Sequence, residues 1–249
     1  MAQEHILITI KRQKDTESKP YWEEIKLPYQ PNMNVISLLQ EVQRNPHNAK
    51  GEAIPPVAWD CSCLEEVCGA CTMVINGEVR QACSTLVDKI EHPIRLEPMR
   101  KFPVIRDLVV DRTRMFDSLK QVHAWVDIDG TYDLGTGPRQ RPADQQDMYL
   151  YSRCMTCGCC VDACPQYIPS SKFVGPAALG QSLLFLKNPT GSFKKEERLQ
   201  AIMGEGGIQD CGNAQNCVRV CPKEIPLTRG IAELNGATMM QFIKNLLKK

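Results

Sequence analysis

Cys154-Met-Thr-Cys157-Gly-Cys159-Cys160-Val-Asp-Ala-Cys164-Pro165 decides how this chain is read. Cys154, Cys157, Cys160 and Cys164 form the run C-x2-C-x2-C-x3-C-P, and Cys159 falls outside its spacing. A second proline-terminated run ends at Cys221-Pro222. Counting back from it in the same register leads to positions 217, 214 and 211. Cys217 and Cys211 are there; position 214 is alanine.

Paired runs of this kind hold two iron–sulfur clusters, and the fourth cysteine of each run crosses to the other run's cluster. One cluster therefore takes Cys154, Cys157, Cys160 and the crossing Cys221, four thiolates suited to [4Fe–4S]. The other takes Cys211, Cys217 and the crossing Cys164, and has no fourth thiolate. An iron corner without a protein ligand is readily lost, so [3Fe–4S] is its natural occupant. Unrelated zinc ribbons would not place two proline-terminated runs in one register.

Upstream lies a different pattern. Cys63-Leu-Glu-Glu-Val-Cys68-Gly-Ala-Cys71 is C-x4-C-x2-C, and Cys83 follows after eleven residues. That is the plant-type spacing for a [2Fe–2S] cluster. Gly69 lets the backbone bend around inorganic sulfide, and loop N–H groups are available to the sulfurs. A zinc site would favour paired C-x2-4-C knuckles, and only Cys68/Cys71 makes one. Cys61 stands two residues before Cys63; the spacing favours Cys63, and Cys61 reads as a bystander thiol.

Thirteen cysteines in 249 residues, with 43% apolar and 24% charged residues, describe a globular chain of unusual thiol content. The formal net charge of +1 gives no reason to expect a nucleic-acid partner. The first residues, MAQEHILITIKRQKDTESK, turn charged before an apolar segment develops, unlike a secretory signal. No stretch approaches the roughly 20 apolar residues that span a bilayer. A reducing compartment is expected, and there the thiols serve as metal ligands rather than disulfides.

The cysteines divide into five between Cys61 and Cys83 and eight between Cys154 and Cys221. Around the first group, His5–Ile10 and Trp22–Leu27 alternate as strands. Asn34 caps a helix carrying Val35, Leu38, Leu39 and Val42, and Asn76-Gly77 joins a hairpin of 72–75 and 78–82. Ile94–Leu96 supplies a closing strand. Around the second group, helices are expected at 107–123, 177–186, 194–203 and 228–247. The fold class is α+β: a plant-type ferredoxin-like (β-grasp) domain over 1–105, then an all-α bacterial ferredoxin-like domain over 106–249. An irregular connection is expected at about 126–147, where Gly130–Pro142 is rich in Pro and Gly. His5, His47, His92 and His123 are scattered and belong to no cysteine motif, so no catalytic residue is assigned.

A plant-type motif followed by a paired run lacking one cysteine resembles the iron–sulfur subunit of succinate dehydrogenases and fumarate reductases. Further phrases carry the likeness: Pro103-Val-Ile-Arg-Asp-Leu-Val-Val-Asp-Arg-Thr-Arg-Met-Phe116, Lys172-Phe-Val-Gly-Pro-Ala177 and Asn216-Cys-Val-Arg-Val-Cys-Pro-Lys223. The resemblance, nearest to the Gram-positive branch, implies an electron-transfer subunit. Electrons pass from a FAD-containing flavoprotein that oxidises succinate, through the [2Fe–2S], [4Fe–4S] and [3Fe–4S] clusters, to a quinone. It further implies a membrane anchor holding haem b, and a peripheral position on the cytoplasmic face of the plasma membrane. The same architecture serves fumarate reduction, and a free-standing soluble carrier would need neither two domains nor the long connection. Ubiquinone-reducing relatives carry tryptophans after the Cys-Pro of the three-iron site and a histidine after its second cysteine. Here Pro165-Gln166-Tyr167-Ile168-Pro169 and Gly212 stand instead. Only Pro165 carries over as a quinone contact, and menaquinone is the expected acceptor.

Overall fold

The structure, a computed structural model, describes residues 5–126 and 139–248. The chain forms two compact units: Met1–Arg112 together with Met155–Asp162, and Thr113–Cys154 together with Ala163–Lys249. The first unit thus extends past the expected boundary at 105 and takes in the middle of the first C-x2-C-x2-C run.

In the first unit, β1 (His5–Arg12) and β2 (Tyr21–Pro28) pair antiparallel, with Ile8 opposite Ile25. Their alternating residues Ile6, Ile8, Ile10 and Ile25 are fully buried, as period-two patterning requires. Helix α1 (Val35–Arg44) begins where Asn34 Oδ1 accepts the Ser37 N–H at 2.9 Å. It lays Val35, Leu38, Leu39 and Val42 into the same core. Strands β3 (Thr72–Ile75) and β4 (Glu78–Gln81) join through Asn76 and Gly77, at φ +48° and +82°. Two left-handed residues in succession make the type I′ turn. Strand β5 (Ile94–Glu97) runs parallel to β1 and antiparallel to β3, giving the order β2-β1-β5-β3-β4.

The helix expected from Asp107 begins later. Strands β6 (Val104–Arg106) and β7 (Val109–Val110) form a small ribbon that turns at Asp107, φ +46°. The Asp107 carboxylate fixes that turn against helix formation: it accepts from Arg12 Nε at 2.9 Å and Nη2 at 3.3 Å, and from the N–H groups of Gln13 (3.1 Å) and Ala58 (2.8 Å). Four fixed donors outweigh the local helical spacing of Leu108.

The second unit is helical. Helix α2 covers Thr113–Gln121 and α3 covers Pro142–Ser152, with proline in its first turn. Residues 142–147 of the connection expected at about 126–147 are helical, and 127–138 lie outside the described residues. A one-turn helix, α4 (Cys159–Asp162), belongs to the first unit. Then come α5 (Gly175–Lys187), α6 (Lys195–Ala201), the short α7 (Asn216–Arg219) and α8 (Leu227–Leu247). Lys187 on α5 binds Asp147 on α3 at 2.5 Å and Glu233 on α8 at 2.6 Å, tying three helices by one ammonium. Among the described residues no helix is long and apolar enough to cross a membrane.

Candidate metal centres

All thirteen cysteines are free of disulfides, as thiols destined for metal must be. Among the described residues no three Cys, His, Asp or Glu side chains close around a single-ion position.

The loop at Cys63 is shaped by its backbone. Leu64 and Glu66 both adopt left-handed φ, +61° and +55°. This alternation turns successive N–H groups inward, the arrangement that forms anion-binding concavities at iron–sulfur sites. The N–H groups of Glu65 (3.4 Å), Val67 (3.3 Å) and Cys68 (3.3 Å) all donate to Cys63 Sγ. Those of Cys63 and Ala70 donate to Cys68 Sγ, at 3.5 and 3.4 Å. Donation from Glu65, then Val67, holds the Cys63 thiol down to about 7, where thiolate is available to metal at neutral pH. Cys71 and Cys83 lie buried at the hairpin, and burial pushes Cys71 up to about 12. Asn34, the cap of α1, also donates through Nδ2 to Cys83 O at 2.9 Å and so fixes that cysteine to the core. The charges of Cys68 and Cys83 reach Cys61, but no backbone N–H is directed at its sulfur among the described hydrogen bonds, and its thiol is raised by burial first. The inward N–H groups thus serve the Cys63 sulfur rather than that of Cys61.

Beside this loop sits the middle of the first C-x2-C-x2-C run. Thr156 and Gly158 are left-handed, φ +52° and +91°. Cys157 and Cys160 are buried, and Cys159 is fully buried. The Cys159 thiol donates to Cys157, the largest reason the Cys157 thiol falls to about 7; the same bond and burial push Cys159 strongly upward. Gln81 Nε2 donates to Cys159 Sγ at 3.4 Å and to Thr72 Oγ1 at 2.7 Å, while Cys71 Sγ faces Gln81 Oε1 at 3.6 Å. Cys159 thus hydrogen-bonds to a ligand candidate, a role its place outside the spacing did not reveal. Gly69 approaches so closely that an added Cβ would lie 2.6 Å from Cys157 Cα. Sequence reasoning also missed Gln81 and Arg112. Arg112 donates to Gly69 O (2.8 Å), Ala70 O (2.9 Å) and Cys157 O (3.3 Å). No motif spacing marks either residue, because both act across elements distant in sequence.

Cys154 and Cys221, the other two candidates for the four-thiolate set, lie in the second unit and are half-buried. Ile225 N–H donates to Cys221 Sγ at 3.5 Å. Also in the second unit, Cys164, Cys211 and Cys217 line one shared pocket with Pro165, Gly212 and Ala214. Burial, then the charge of Cys164, pushes the Cys217 thiol up to about 11, with Cys211 adding to it. Asn213 and Gln215, left-handed at φ +51° and +61°, curl the loop around that cavity. Three soft thiolates around one pocket, with alanine where a fourth would stand, fit a three-iron cluster in the chemistry of their donors. Of the histidines, His92 Nε2 faces Val87 O at 3.1 Å and His123 faces Glu197 at 3.3 Å.

Comparison with known proteins agrees with this layout. Residues 7–117 match the family described as a 2Fe-2S iron-sulfur cluster binding domain, and residues 150–225 match a 4Fe-4S dicluster domain. The chain is 58% identical to the succinate dehydrogenase iron-sulfur subunit of Bacillus subtilis, over 98% of this chain and 96% of that one. It is 32% identical to the fumarate reductase iron-sulfur subunit of Wolinella succinogenes, over 87% and 89%. A chain of the Mycobacterium smegmatis Sdh1 complex in the apo form shares the fold, with TM-score 0.76, 21% identity and coverage of 95% and 96%. The chain belongs to the family of iron–sulfur subunits of succinate dehydrogenases and fumarate reductases.

Proposed function

We propose that this chain is the electron-transfer subunit of a membrane-bound succinate dehydrogenase, holding three clusters and working between a flavoprotein and a quinone site. Cys63, Cys68, Cys71 and Cys83 hold [2Fe–2S]; Cys154, Cys157, Cys160 and Cys221 hold [4Fe–4S]; Cys164, Cys211 and Cys217 hold [3Fe–4S]. When bound, these clusters supply one-electron centres between FAD on the flavoprotein and the acceptor. The protein's own part is to hold thiolates, donate hydrogen bonds to their sulfurs and keep water from the buried ones.

The observation that carries the proposal is the shared cavity of Cys164, Cys211 and Cys217 with Ala214 at its wall. A three-thiolate set beside two four-thiolate sets is an electron relay without substrate chemistry. Pro165 lines the same cavity and is the candidate quinone contact. The absence of tryptophan in 165–169 and of histidine at 212 supports menaquinone as the acceptor. The partner anchor would carry haem b, and the chain would sit peripherally on the cytoplasmic face.

An EPR-monitored redox titration of the purified complex tests this. It should yield three components: a reduced-state [2Fe–2S] signal, a reduced-state [4Fe–4S] signal and an oxidised-state [3Fe–4S] signal. Two four-iron signals without a three-iron one would overturn the assignment.

A further inference from the structure

Arg112 is the last residue of the first unit's continuous segment, just before α2. Its guanidinium is half-buried, and its hydrogen bonds go to main-chain carbonyls of two loops. Nη1 donates to Gly69 O (2.8 Å) and Cys157 O (3.3 Å), and Nη2 donates to Ala70 O (2.9 Å). Gly69 and Ala70 lie between Cys68 and Cys71, so the planar fork spans the loop of one cluster and the loop of the next. The two loops meet there without room for a side chain, as the Gly69–Cys157 approach requires. The hydrogen bonds of the Arg112 guanidinium among the described residues go to main-chain carbonyls and not to a carboxylate. Burial weighs most on the guanidinium and lowers it, and the negative charges of Cys157, then Asp60, Cys159 and Cys71 act to raise it.

An arginine keeps its proton at any working pH. A fixed cation stabilises the reduced, more negative form of a cluster over the oxidised form, and charge is among the protein's controls on cluster potential. We propose that Arg112 is a positioning residue that locks the Cys68–Cys71 loop to the Cys157 loop, and that its charge raises the reduction potentials of the clusters those loops hold. The inference rests on the ligand assignment proposed above. Carbonyl oxygens point their negative ends at Arg112, so its loss leaves those dipoles near the sulfurs uncompensated and adds to the same shift.

The test uses the assembled complex in membranes with Arg112→Met, Arg112→Gln and Arg112→Lys, each titrated by EPR. In Arg112→Met and Arg112→Gln the [2Fe–2S] and [4Fe–4S] midpoint potentials should fall. In Arg112→Lys, which keeps the charge but not the fork, they should lie closer to wild type. The three-iron cluster, whose ligands Arg112 does not contact, is the internal control and should keep its potential. Unchanged potentials in both neutral variants would overturn the proposal, as would equal shifts in Lys and Met. Failure of both neutral variants to assemble either cluster would confine Arg112 to holding the two loops and would overturn the claim that its charge sets their potentials. Failure of the underlying assignment is distinguishable, because it appears as missing signals in the wild-type complex.

Discussion

The two Cys-Pro runs share a backbone and differ in their surroundings. In the first, left-handed Thr156 and Gly158 precede the one-turn helix Cys159–Asp162; in the second, left-handed Asn213 and Gln215 precede Asn216–Arg219. Position for position these match, so Ala214 occupies the backbone site that Cys157 fills in the first run. The register inferred from spacing is therefore also a register of conformation. What differs is support. Cys157 is braced by Arg112, the Cys159 thiol and a close approach from Gly69, all within the first unit. Around Ala214 the loop is exposed, and among the described residues it is held by an Asn216 Nδ2 bond to Ala163 O at 3.1 Å. A well-braced loop and an exposed loop come from the same local fold with different neighbours.

The strongest way to break this comparison is to remove the crossing ligands. Cys164→Ala should abolish the [3Fe–4S] EPR signal, although Cys164 sits in the first run, and Cys221→Ala should abolish the [4Fe–4S] signal, although it sits in the second. Each variant losing the cluster of its own run would refute the crossing.

A smaller effect should separate the two loops by their glycines. Gly69→Ala forces an alanine into φ +72° and against the Cys157 backbone, and should destabilise the first unit by about 2–4 kcal/mol. Gly212→Ala meets only the tip of the Gln166 side chain and should cost less than about 1 kcal/mol. Thermal bleaching of visible cluster absorbance in the two variants reads the difference; equal losses would mean the loops are equally braced.

The smallest effect belongs to Cys159, which occupies the position of Asn216 in the other run. Cys159→Ser keeps a donor toward Cys157 and should leave all three clusters assembled, at a cost of about 1 kcal/mol. EPR spin quantitation checks assembly, and loss of the four-iron signal would make Cys159 a ligand.

Much of this was legible from sequence where the signal is local. Asn34 capping α1, Asn76-Gly77 turning the hairpin, and the buried isoleucines of β1 needed only neighbouring residues. The failures are tertiary. Asp107 looked like the start of a helix because its partners Arg12, Gln13 and Ala58 are remote in sequence. Pro142 looked like the end of a loop, yet proline is equally at home in the first turn of a helix, and that is where it stands. At the candidate centres, spacing marked the candidate ligands and left their neighbours unseen: Gln81, Cys159 and Arg112 act through space, not through a motif. Spacing favoured Cys63 over Cys61, and the N–H groups directed at the Cys63 sulfur point the same way.

The most direct test of the central claim is EPR of the oxidised complex carrying Ala214→Cys. If Ala214 takes the place of Cys157 in a shared backbone, the new thiol supplies the missing fourth ligand. The oxidised-state [3Fe–4S] signal should then shrink, with a second reduced [4Fe–4S] signal in its place, a lower midpoint potential at that site and slower quinone reduction. A folded, assembled variant with an undiminished three-iron signal would contradict the account, because position 214 would then not face the open corner of the cluster.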